Sequence, residues 1–371
     1  MLVQDGVVAE IFATNVTDLP PAEAVLDLHN QTLFPGFIDV HIHGAKGIDV
    51  MDTDPDGLDQ VSGFLAGQGT TSWLPTLVPS ANEGYGRAIA AIEELMRKQT
   101  RAAGKPGARA LGVHYEGPFV NTSQCGALHV DYFQTFAEPQ QVTALPVPKS
   151  PNTRRMMTLA PEVVGGVELV RELKQRGWIV SVGHTRADID TLERAFDQGA
   201  RHMTHFMNAM SPLHHRAPGP VAWGLKRDEV TCDFIADGIH LDPYVLGLLV
   251  KMKGSNGLVL ISDAIAAAGE GDGEYTIWGE KISVTNGRTS NTRGSIAGSV
   301  ITMVDAVRRM LSLGVPEIEV AQMAATNPAR LLGISDEYGS IAVGKRADLV
   351  VLDERREVVL SLVGGCVAFQ S

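Results

Sequence analysis

The chain has 371 residues, 44% of them hydrophobic, enough for a sizeable core in one large domain or two smaller ones. A formal net charge of -12 argues against nucleic acid as a partner, because phosphate backbones demand a basic surface. A small anion is still compatible, since a few Arg and His residues dominate the field inside a cleft.

The N-terminal stretch MLVQDGVVAEIFATN carries no basic segment ahead of a long apolar core, so no signal peptide is expected. No apolar run reaches the ~18 residues of a membrane span. Cys125, Cys232 and Cys366 form no CxxC motif and no even-numbered framework. These features predict a protein of the reducing cytoplasm with no membrane partner.

In chain order, residues 1–34 hold short β-like pieces, VVAEIFA and AVLDLHNQTLF. A repeated theme follows: a short apolar run with a polar residue at its end, then an amphipathic stretch. The runs are GFIDVHIH (36–43), TTSWLPTLV (70–78), ALGVHYE (110–116) and RMMTLA (155–160). They continue with IVSVGH (179–184), HMTHF (202–206), VTCDFIA (230–236) and LVLISD (258–263). Between them, AIAAIEELMRKQ (88–99) and VELVRELKQRG (167–177) show helical spacing. Eight strand–helix units with near-continuous apolar strands predict a parallel (β/α)8 barrel of the TIM type over residues 35–334. The alternative, an open doubly wound sheet, calls for a Gly-rich phosphate loop after the first strand, where HIHG stands instead. A β-hairpin insertion is expected near 274–294, with a turn at Asn286-Gly287. Residues 335–371 read as strand, turn, strand, and with 1–34 they are expected to build a small β-sandwich domain beside the barrel.

Active sites of such barrels lie at the C-terminal ends of the strands. His41 and His43 end the first, and spacing of two puts both imidazoles on one face. Glu116, His184, His205 and Asp263 end the third, fifth, sixth and eighth. Any one of them alone reads as an ordinary core histidine, a helix cap or half of an ion pair. Six such residues from five strands read instead as a divalent-metal site, with nitrogen and oxygen donors that suit zinc. Strand four, RMMTLAPE, offers no lysine to bridge two ions, which leaves Glu116 as the natural bridging or primary carboxylate.

Across nearly its whole length the chain resembles the N-acetylglucosamine-6-phosphate deacetylases of the amidohydrolase superfamily. The resemblance lies in FPGFIDVHIHG, HYEGPFVN, SVGHT, THFMNAMSPLHHRAPG, ADGIHLD, ISDAIAAAG, GSIAGS and GSIAVGKRADLVVLD. The first and last are superfamily-wide, whereas EGPFVN, THFMNAM and the R-x-P-G segment are narrower. It implies that Glu116, His184 and His205 hold one metal, that His41, His43 and Asp263 border a second position, and that Asp263 is the catalytic acid/base. The metal would be zinc, with Fe, Co, Mn, Ni or Cd as alternatives, one or two per chain. Asn208, Ala209, Arg216 and His240 match substrate-binding positions, as do Ile296, Ala297 and Gly298. The GALH segment matches a sugar-side GxH loop through Ala127 and His129, with Leu128 as an inserted residue. The N-terminus is shorter than in the family, so either the small domain is reduced or its first strands precede Met1.

A metal ion lowers the pKa of bound water from ~15.7 towards ~7. In the implied mechanism Asp263 takes the water proton and returns it to the sugar nitrogen, with His240 beside the metal at the oxyanion. Arg216 is the expected phosphate anchor, because guanidinium binds phosphate bidentately and no Walker-type loop is present. The resemblance also suggests a homodimer in which the partner adds to the phosphate site. The rival readings are an N-acyl-amino-acid deacylase or cyclic amidase on the same barrel, and a catalytically silent sugar-phosphate sensor.

Overall fold

A computed structural model describes residues 1–13, 20–101 and 106–371. Eight parallel strands run in sequence order around one sheet: Phe37–Ile42, Thr70–Leu77, Gly112–Glu116, Arg154–Leu159, Ile179–Val182, His202–Met203, Thr231–Ile235 and Leu258–Ile261. Each lies within or against a run anticipated from the sequence. Strands one, two, three and eight are buried along their entire length, as apolar runs covered on both faces must be. The last strand returns to the first: the Asp263 N–H donates to the His41 carbonyl at 2.9 Å, and the Ser262 hydroxyl donates to Asp39 at 2.5 Å. The barrel is thereby closed, and the open-sheet alternative fails.

Helices cover the outside after strands one, two, four, five, six, seven and eight, at Pro55–Gly67, Asn82–Arg101, Gly166–Gln175, Ile189–Asp197, Gly219–Lys226, Pro243–Lys253 and Met303–Ser312. Local chemistry starts several of them. Asp54 and Asp242 cap helices that open on Pro55 and Pro243, and Thr302 with Asp305 forms a capping box. The third unit departs from the expected strand–helix pattern. After Glu116 the chain makes two short 3-10 turns and one four-residue helix, Gln140–Thr143. Pro139, Pro146, Pro148 and Pro151 crowd this stretch, and proline cannot sit in a helix interior.

The chain ends form a small sheet domain beside the barrel. Thr32–Pro35 pairs with Leu349–Leu352, which pairs with Val358–Val363, which pairs with Cys366–Gln370, all antiparallel. A hairpin of Leu2–Gln4 and Val7–Glu10 attaches through the Val8 N–H to the Lys345 carbonyl. Of AVLDLHNQTLF only its end is strand, and the span 14–19 of the expected N-terminal portion lies outside the described residues. The insertion after strand eight has a third strand beyond the expected hairpin: Gly273–Ile277, Glu280–Thr285 and Arg288–Asn291. Among the described residues no helix is long and apolar enough to cross a membrane.

One glycine shows how tightly the barrel interior is filled. A Cβ on Gly183 would stand 2.4 Å from the Thr204 methyl and 2.9 Å from the Thr158 methyl. Gly183→Ala is expected to destabilise the protein by about 1–3 kcal/mol through overpacking, read as a lower urea midpoint.

Candidate metal centre and substrate cavity

The six strand-end residues singled out from the sequence meet at the barrel mouth, all nearly excluded from solvent. Glu116 is at the centre. Its Oε1 lies 2.9 Å from His184 Nε2 and 3.0 Å from His205 Nε2, while its Oε2 lies 3.3 Å from His43 Nε2. His41 and His43 approach each other at 3.2 Å through their Nε2 atoms, and Asp263 Oδ1 lies 3.4 and 3.2 Å from them. Two trios of donor atoms result, His41–His43–Glu116 and Glu116–His184–His205, with Glu116 common to both. Donors ~2.1 Å from a tetrahedral zinc-type ion stand about 3.4 Å apart, so both trios have the span and the chemistry of a cation site.

The backbone is bent out of its comfortable range to aim these groups. His184, His205 and Asp263 have φ of 47°, 27° and 50°, left-handed conformations that non-glycine residues rarely adopt. Each costs of order 1–3 kcal/mol and persists only where the surroundings enforce it. Three of the four imidazoles are also fixed behind the cluster by backbone carbonyls. His43 Nδ1 donates to Thr76 O, His184 Nδ1 to Gln124 O and His205 Nδ1 to Asn208 O, at 3.2, 2.7 and 3.2 Å. A carbonyl only accepts, so Nδ1 carries a hydrogen in each ring and Nε2 is the nitrogen turned to the centre, the one a cation would take in place of a proton.

The electrostatics show what the cluster lacks. Burial works against charge at Glu116, but His41 and the hydrogen bonds from His184 and His205 outweigh it and hold the carboxyl well below its usual range. Asp263 is likewise pulled down despite its burial, by His41 and His43. Burial should also depress the imidazoles, yet Asp263 and Glu116 push His43 up to about 10, and Glu116 pushes His205 up to about 9. Two ionised carboxylates in a site shielded from water demand positive charge, and protons on histidine supply it here. A divalent cation meets the same demand, so the residues fit the group.

Above the cluster opens a cavity of about 310 Å³, lined among others by Ala127, Asn208, Ala209, His240, Ile296 and Gly298. Thus most of the expected substrate-side residues converge. Ala297 is fully buried and not part of the lining, and of the GALH segment Leu128 lines the cavity whereas His129 does not. Arg216 is exposed beside His215, 2.8 Å from its Nε2, and no lysine or arginine lines the cavity among the described residues.

Several participants escape a reading of the sequence. Asp237 accepts from His240 Nδ1 at 2.7 Å and orients that ring; the i,i+3 spacing in DGIH was the available signal. Trp278, at the tip of the inserted hairpin with φ of 53°, sets its ring edge-on to His43 at 5.2 Å and forms one cavity wall. Nothing local marks a turn tryptophan as an active-site wall.

Comparison with known proteins agrees with this geometry. The profile of the amidohydrolase family matches residues 32–368. An N-acetylglucosamine-6-phosphate deacetylase of Bacillus subtilis (strain 168) is 36% identical over 375 aligned positions, covering 100% of this chain and 92% of that protein. An N-acetylgalactosamine-6-phosphate deacetylase of Escherichia coli O157:H7 is 37% identical over 354, covering 95% of this chain and 89% of the other. Among solved structures, a mutant N-acetyl-D-glucosamine-6-phosphate deacetylase of Mycobacterium smegmatis, in complex with N-acetyl-D-glucosamine-6-phosphate, superposes with a TM-score of 0.88. It is 30% identical, and the match covers 99% of this chain and 94% of that one. On these grounds the chain belongs to the amidohydrolase family, a family of metal-dependent hydrolases, and within it to the N-acetylglucosamine-6-phosphate deacetylases.

Proposed function

We propose that this enzyme hydrolyses the N-acetyl group of N-acetylglucosamine 6-phosphate, releasing acetate and glucosamine 6-phosphate. The observation that carries the reading is the buried carboxylate–imidazole cluster with Asp263 at the floor of a ligand-sized cavity. Its setting is a chain more than one third identical, end to end, to a deacetylase of that sugar.

Glu116, His184 and His205 would hold one ion, and His41, His43 and Asp263 would border a second. The nitrogen-rich donor set suits zinc. When bound, the metal supplies Lewis acidity and makes water acidic enough to attack an amide at neutral pH. Asp263 takes the proton of the attacking water as oxygen bonds to the acetyl carbon. It then delivers that proton to the sugar nitrogen as the C–N bond breaks, so the amine leaves neutral. Asp237 accepts the Nδ1 hydrogen of His240, which turns Nε2 towards the cavity. In the imidazolium form that atom donates to the acetyl oxygen as negative charge builds there.

Arg216 is assigned to the 6-phosphate. No lysine or arginine lines the cavity of one chain among the described residues, which supports a homodimer in which the partner subunit adds to the phosphate site. A reducing cytoplasm suits the three unpaired cysteines. An N-acyl-amino-acid deacylase would need no phosphate, and a silent sensor would have no use for a base at Asp263.

Free-amine release is the direct test. Metal-replete enzyme is expected to turn over N-acetylglucosamine 6-phosphate, to stop with chelator, and to spare the unphosphorylated sugar; absence of turnover would end the assignment. The galacto epimer belongs in the same assay, given the relative that acts on it. Asp263→Asn is expected to lower kcat by about 10²–10⁴-fold with little change in KM, in steady-state kinetics. Arg216→Gln should instead raise KM by about 10–100-fold, the worth of a charge-assisted contact, and leave kcat nearly unchanged.

A further inference from the structure

His41 differs from the other three imidazoles of the cluster. Its Nδ1 meets no carbonyl but the hydroxyl of Thr204, at 3.0 Å. A hydroxyl both donates and accepts, so by itself it leaves the tautomer of His41 undecided. The decision comes from across the barrel interior. Asp233, on strand seven and fully buried, places Oδ2 3.3 Å from that hydroxyl and 2.8 Å from His202 Nε2. Its Oδ1 accepts the backbone N–H of His205.

A carboxylate has no hydrogen to give, so the Thr204 hydrogen must point at Asp233. The Thr204 oxygen then accepts from His41, the hydrogen of His41 sits on Nδ1, and Nε2 keeps its lone pair for the cluster. We propose that Asp233 is a positioning residue that fixes the metal-ready tautomer of His41 through Thr204. This rests on the reading of the cluster as a metal centre. The same side chain also braces the strained backbone of His205, so one buried carboxylate supports a ligand of each trio.

Asparagine at this position reverses the chain of donors. The His205 N–H still requires an acceptor, so the amide oxygen stays on that side and the NH2 turns to Thr204. The Thr204 hydroxyl then donates to His41 Nδ1, and the His41 hydrogen moves to Nε2, where it blocks coordination.

The test is zinc affinity by competition with a chromophoric chelator, alongside kcat and KM for the phosphorylated sugar. Asp233→Asn is expected to weaken zinc at the His41 position by about 10–100-fold and to lower kcat with KM nearly unchanged. Thr204→Val should reproduce the loss, whereas Thr204→Ser, which keeps the hydroxyl, should retain wild-type affinity. Wild-type zinc binding in both Asp233→Asn and Thr204→Val would overturn the proposal. So would equal losses in Thr204→Val and Thr204→Ser, because packing and not the hydroxyl would then be responsible. If Asp233→Asn fails to fold, the Thr204 pair decides alone. Failure of the assigned substrate would show as a zinc-replete wild type without turnover, an outcome separate from any change in zinc affinity.

Discussion

Glu116 and Asp263 are carboxylates that stay ionised in a site nearly closed to water, and the architecture around them answers that constraint. An ion removed from water and left unpaired would cost several kcal/mol or more. Four imidazoles from three strands therefore converge on them, and each imidazole is itself held from behind by a carbonyl or a hydroxyl. Closing the barrel between strands one and eight, through His41, Asp39, Ser262 and Asp263, is what brings Asp263 to the histidine pair at all. The same layout, with carboxylate oxygens and imidazole Nε2 atoms turned inward in a buried site, is the one a divalent cation requires.

Precision of this kind is stored in backbone as well as side chains. Three of the six clustered residues occupy left-handed conformations, as do Met207 and Ala209 in the adjoining loop. Rigid strands can enforce such geometry because the six inner ones are locked on both sides by a parallel neighbour and the first and last are joined through His41, Asp39, Ser262 and Asp263. The loops can then vary: the proline-rich stretch after strand three and the inserted sheet after strand eight supply Leu128 and Trp278 to the cavity wall.

Much of the fold was legible from the residues, for reasons that differ by element. The barrel strands announced themselves because burial on both faces forces continuous apolar runs, as in TTSWLPTL. The insertion was foreshadowed by Asn286-Gly287, a pair with a strong turn preference, although its third strand, RTSN, is too polar to stand out. The missing helix of unit three could have been read from four prolines. Thr32–Pro35 is the informative contrast: it is a strand because Leu349–Leu352, more than three hundred residues away, is there to pair with it. Local propensity carries no record of that partner.

For the site, the sequence by itself determined the donor set. Strand alternation puts His41 and His43 on one face, and the position of Glu116, His184, His205 and Asp263 at strand ends sends them to one end of any parallel barrel. Only the tertiary structure decided how they are paired: that Glu116 is shared between two trios, that Asp237 steers His240, and that Asp233 reaches both His205 and, through Thr204, His41. It also decided that Arg216 is exposed and not among the residues lining the cavity of its own chain. The physical reason is the range of the forces. Periodicity and caps act over a few residues and are written along the chain. Hydrogen bonds and charge pairing act over about 3 Å between residues that may lie 163 apart in sequence, and only folding brings those together.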